Sequence, residues 1–105
     1  MPNTEKFTLV YGLEHGGKMQ VEGALRLPNL EDIEIALEAA GEGASNARLS
    51  RHVWGRTVVA LGEIPADAIN AELLAGLIDD DFGILQGAEN TLRKKRKEQI
   101  TAQKP

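Results

Sequence analysis

Between Phe7 and Leu27 the chain alternates. Phe7, Leu9, Tyr11 and Leu13 are interleaved with Thr8, Val10 and Gly12. Met19, Val21, Gly23, Leu25 and Leu27 are interleaved with Gln20, Glu22, Ala24 and Arg26. A period of two places each set on one side of a strand, so the pattern predicts two strands that share an apolar face. His15-Gly16-Gly17 separates the runs and supplies the positive φ of a tight connection. A two-stranded hairpin is marginal in water, which requires helices over its apolar face.

At Pro28-Asn29-Leu30 the period changes. Leu30, Ile33, Leu37 and Ala40 recur at three and four, predicting a helix over 30–40 with one apolar stripe. Asn29 is its N-cap, with Glu31, Asp32 and Glu34 in the turns where the helix dipole favours negative charge. Gly41-Glu42-Gly43 ends it. Ser45 or Asn46 caps a second helix expected over 47–61. Its two stripes, Leu49, Val53, Thr57 and Ala60 beside Trp54, Val58 and Leu61, suit a well-buried position. Gly62 stops it, and Ile64-Pro65 opens a turn. Asn70 caps a short helix that carries Leu73, Leu74, Leu77 and Ile78. The acidic run Asp79–Asp81 offers a cap for a last helix over 81–98, with Phe82, Leu85, Ala88 and Leu92 on its buried side. The expected architecture is α+β: an N-terminal antiparallel hairpin packed against three or four helices. Residues 1–92 form one domain, followed by a basic, partly disordered tail over 93–105.

A chain of 105 residues supports one core. It contains no cysteine, so disulfides and thiolate metal sites are excluded. No apolar run reaches the ~20 residues of a membrane helix. The first residues do not resemble a signal peptide, and the expected location is the cytoplasm. The formal charge of −4 conceals a division. Residues 93–105 hold six basic groups and one acid, a net of +5; the preceding residues hold six basic groups and fifteen acids, a net of −9. An acidic body argues against a dedicated nucleic-acid binder.

The candidate chemistry is sparse. Three adjacent carboxylates, Asp79, Asp80 and Asp81, point in different directions on a helix and do not converge on one ion, so capping is the preferred role. His15 and His52 lie in no metal-binding motif, and Ser45 and Ser50 lack a nucleophile-elbow context. The glycines do not form a phosphate-binding loop. Residues 70–78 contain no lysine or arginine and would read a major groove poorly. No catalytic, metal or cofactor residue is assigned, and the chain is expected not to be an enzyme. The run Arg93, Lys94, Lys95, Arg96 and Lys97 is a solvated helix end or an electrostatic contact. Leu73, Leu74, Leu77, Ile78 and Phe82 are crowded enough that one short helix can hardly bury them all, and they are the candidate partner-binding surface. The hairpin edge is a second candidate, for self-association or strand addition.

The order of these features resembles a known family. It consists of a period-two hairpin and then Leu27-Pro28-Asn29-Leu30-Glu31-Asp32 opening a helix. A central helix runs into Val58-Val59-Ala60-Leu61-Gly62-Glu63-Ile64-Pro65, a leucine-rich segment leads to Asp79–Asp81, and a final helix ends in basic residues. Over residues 6–95 this is similar to the small tail-assembly chaperones of contractile-tailed, Mu-like phages and prophages. The resemblance implies a non-catalytic protein that binds the tape-measure protein, keeps it soluble until tail-tube protein polymerises, and is absent from the finished tail. It also implies that this is the short form of a pair generated by frameshifting. The alternatives are a structural tail or neck component of the virion, and a nucleic-acid-associated regulator that uses the basic tail.

Overall fold

The computed structural model describes residues 3–103. It is an α+β fold. Strands β1 (Thr4–His15) and β2 (Lys18–Arg26) form the expected hairpin, turning at Gly16 and Gly17, both with positive φ. There follow α1 (Leu30–Ala40), α2 (Asn46–Thr57), β3 (Val58–Leu61), a single 3-10 turn (Ala66–Ala68), α3 (Ala71–Leu74) and α4 (Asp79–Gln103). The sheet is antiparallel with order β1-β2-β3. Its apolar face supplies Phe7, Leu9, Leu13, Leu25, Val58 and Leu61 to the core, which Trp54, Leu74, Leu85 and Leu92 close from the helices.

Strand β3 corrects the expected second helix. Val58–Leu61 continue the apolar stripes of α2 in sequence, yet the helix ends at Thr57. The free edge of β2 offers Gly23, Ala24 and Leu25 as partners for Leu61, Ala60 and Val58. Thr57, Val58 and Val59 are β-branched and suit that pairing better than another helical turn. Val58 and Leu61 are buried, whereas Ala60, assigned to an inner stripe, is exposed.

Within the hairpin the strict alternation fails in two places. Four residues of β1, Leu9–Gly12, stand opposite Val21 alone, because the register jumps from Thr8↔Glu22 to Leu13↔Gln20. This wide bulge turns both Val10 and Tyr11 outward, so Tyr11 is not a core residue. Gly12 occupies positive φ (77°), and a Cβ there would collide with the carbonyl of Gln20. At the start of β2, Gln20 is buried and Met19 is exposed, the reverse of the period-two reading. The Gln20 amide donates to the carbonyls of His15 and Lys18, and its Oε1 accepts from the Glu63 N–H at 3.0 Å. Those bonds satisfy it in the interior.

Three of the four predicted caps are present. Asn29 forms a reciprocal capping box with Asp32, Ser45 accepts from the Arg48 N–H, and Asn70 accepts from the Leu73 N–H. Other expectations need correction. Helix α1 buries Asp32, Ala36 and Ala40, and leaves Leu30 and Leu37 of the expected stripe in solvent. The short α3 ends at Leu74, so Leu77 and Ile78 lie in the turn that follows it. Helix α4 starts at Asp79 and continues through the basic run to Gln103, longer at both ends than 81–98.

Two buried carboxylates tie these elements together. Asp32 accepts from Arg26 Nη1 (2.6 Å) and Nη2 (3.1 Å), from Arg56 Nε (2.9 Å) and from the Asn29 N–H (2.9 Å). This joins the end of β2, the start of α1 and the end of α2. The Arg26 guanidinium, then the Asn29 N–H and Arg56, hold the Asp32 carboxyl far below the usual carboxylate range against the opposing effect of burial. Asp81, fully buried, accepts from the N–H groups of Val10 (2.7 Å), Tyr11 (3.2 Å) and Gly12 (2.9 Å). The bulge has removed those donors from the strand ladder, and the carboxylate replaces their partners.

Candidate functional site

An open groove of about 690 Å³ lies between the first turns of α2 and the segment from Leu74 to Phe82. Its floor is aromatic. Trp54 and Phe82 meet edge to face with ring centroids 4.9 Å apart at 66°. The Trp54 indole N–H donates to Glu89 Oε1 at 3.0 Å, and Glu89 Oε2 accepts from Arg93 Nη2 at 2.8 Å. Trp54 is therefore held in one orientation from behind. Leu74 is part of the floor and is buried; Leu77 is half-buried and Ile78 is 48 % exposed at the rim. The opposite wall comes from α2, where Arg48 and Arg51, three apart and so on one helix face, line the groove. Arg51 Nη1 donates to the Ala71 carbonyl at 3.1 Å, bracing α2 against α3. Gly55 permits the close approach there: a Cβ would lie 2.6 Å from the Ala71 nitrogen.

Four of the five residues assigned from sequence to partner binding, Leu74, Leu77, Ile78 and Phe82, line this groove. Leu73 does not; it packs against the core. Leu74 is accessible to a partner only as the base of the groove, at 4 % exposure. Sequence reasoning placed Trp54 in the core and gave no role to Arg48 or Arg51. Their spacing on an amphipathic helix was visible; that the helix faces the leucine-rich segment was not.

The basic run is separate from the groove. Arg93 pairs with Glu89, Lys95 reaches Glu5 at 2.8 Å on β1, and Lys94 and Lys97 are exposed. Asp79 and Asp80 are exposed, Asp80 accepting from the Tyr11 hydroxyl at 3.2 Å, and Asp81 is directed to the backbone of β1, so Asp81 does not cap its own helix as expected. His15 lies at the hairpin turn and His52 on α2, in different surroundings. No described helix is long and apolar enough to cross a membrane.

The fold and the groove together define an α+β domain with an open, aromatic-floored cleft that has an apolar rim and a cationic wall. Comparison with models of protein families, with curated proteins and with solved structures finds no match.

Proposed function

We propose that this chain is a non-catalytic binding protein whose groove receives the apolar face of a helical client segment. Its role would be that of a phage tail-assembly chaperone for the tape-measure protein. The observation that carries the reading is the groove itself: an oriented aromatic floor, a half-exposed Leu77–Ile78 rim and a cationic wall, open along one side. Such a surface accepts successive apolar side chains of an amphipathic helix without demanding one sequence. The choice of client rests on the family resemblance described above. A non-catalytic role is supported by the use of the buried acids: Asp32, Asp81 and Glu89 are all engaged in bonds that hold elements together.

Co-expression with a tape-measure protein of a contractile-tailed phage, the client class that the resemblance implies, tests the proposal. The expected result is a soluble complex that forms with the wild type and is lost with Ile78→Asp. A client equally insoluble with and without this chain rejects the reading. Presence of the chain in purified particles would point instead to a virion component.

A further inference from the structure

Helix α1 is built inside out. Its packed side consists of Asp32, Ala36 and Ala40, while Leu30 is 84 % exposed and Leu37 53 % exposed. Glu31, Glu34 and Glu38 surround them, all exposed, and the helix carries no basic residue. Leu30, Glu34 and Leu37 share one face by spacing. The last turns of α4 carry the opposite charge. Lys94 and Lys97 are exposed, Arg96 is half-buried, and Ile100, 48 % exposed, follows Lys97 by three positions on the same face.

These two surfaces sit at the same end of the sheet. Lys95 is bonded to Glu5, Glu5 pairs with Leu25 in the hairpin, and the next residue, Arg26, grips Asp32 in the first turn of α1. Within one chain α1 packs on α2 and α4 packs on β1, so the acidic helix and the basic helix end are neighbours without being partners.

We propose that a second copy of this chain covers α1: the basic end of α4 from one copy lies along the Leu30–Leu37 face of the other, reciprocally. Lys94, Arg96 and Lys97 oppose Glu31, Glu34 and Glu38, and Ile100 covers the exposed leucines. Two patches at one end of the molecule are related by a two-fold axis through that end, which closes the assembly as a dimer. Elsewhere the acidic bodies repel one another, so charge selects this contact. A nucleic acid on the basic helix end would leave Leu30 and Leu37 uncovered and would meet an acidic body.

The test is the solution mass of the full chain at low and high salt, with two charge-reversed variants. One carries Glu31→Lys, Glu34→Lys and Glu38→Lys; the other carries Lys94→Glu, Arg96→Glu and Lys97→Glu. The expected wild-type mass is twice that of the monomer at low salt and falls toward the monomer as salt rises. Each variant alone is monomeric, and mixing them restores one doubled species. Leu30→Ser, at a position the fold does not use, weakens the wild-type dimer several-fold and guards against misfolding of the triple variants. A wild type that is monomeric at low salt overturns the proposal. So does a mixture that stays monomeric, a Leu30→Ser dimer as tight as wild type, or a monomer whose basic helix end binds duplex DNA.

Discussion

The carboxylate of Asp81 lies 2.9 Å from the backbone nitrogen of Gly12, a residue 69 positions earlier in the chain. The same carboxylate accepts from Val10 and Tyr11, so one side chain at the start of α4 satisfies three consecutive N–H groups of β1. Replacing it with alanine leaves those three donors without their shared acceptor, the Gly12 N–H in a buried position and the other two part-buried. Asp81→Ala is expected to cost about 3 kcal/mol or more of unfolding free energy, from the loss of a charged acceptor shared by several donors. Asp79→Ala, at an exposed position, is expected to change stability by less than about 0.5 kcal/mol. Urea denaturation of both variants measures the contrast; equal effects would mean that the triple bond to β1 is not what Asp81 contributes.

Asp32 makes the fold sensitive to acid. Its carboxyl is held far below the usual range by Arg26, the Asn29 N–H and Arg56. A depressed folded pKa gives stability that is present above the unfolded aspartate value of about 3.9 and is lost as pH falls toward the folded value. Wild-type stability should therefore fall progressively below about pH 4. Asp32→Asn, already weakened by about 2 kcal/mol at neutral pH through loss of charge-assisted bonds, should show a shallower acid slope. Thermal denaturation across that pH range is the measurement, and parallel slopes would count against the assignment.

In the groove, burial separates folding from binding. Leu74→Ala, in the floor, removes packed volume and is expected to cost about 2–4 kcal/mol. Ile78→Ser, at the half-exposed rim, is expected to cost less than about 1 kcal/mol and yet abolish client capture. Trp54 is the single tryptophan of the chain and forms the floor, so its fluorescence reports occupancy directly. A client that binds without altering that signal lies elsewhere on the surface.

Two glycines should respond in opposite directions to the same change. Gly55→Ala forces a Cβ against the Ala71 nitrogen and is expected to destabilise by about 1–3 kcal/mol. Gly87→Ala, on α4 with open space around it, removes a helix-interior glycine and is expected to stabilise by about 0.5–1 kcal/mol. Melting temperatures of the pair check both signs.

What the sequence disclosed divides by range. The Asn29–Asp32 capping box, the caps at Ser45 and Asn70 and the hairpin turn are set by residues three or four apart, and each could be read directly. The crowding of Leu74, Leu77, Ile78 and Phe82 also marked one wall of the groove. The wall formed by Arg48 and Arg51 comes from a different helix, and no local pattern reveals which helices face each other. Val58–Leu61 continued a helical stripe, and only the open edge of β2 made them a strand. On α1 the leucines were the natural choice for the buried face. The small side of the helix, Ala36 and Ala40, packs inward with Asp32 because Arg26 and Arg56 draw that carboxylate in. Tyr11 and Gln20 departed from the alternation for a similar reason: distant polar partners, Asp81 and Glu63, outweighed the local period.

Helix α2 passes into β3 with no residue between them. Val58 closes the helix by donating its N–H to the Trp54 carbonyl and, as the first residue of the strand, pairs with Leu25. No loop separates the two elements at this junction. The groove floor and the sheet edge are consecutive parts of one continuous member, so a load pressed onto Trp54 passes to the sheet with no loop between.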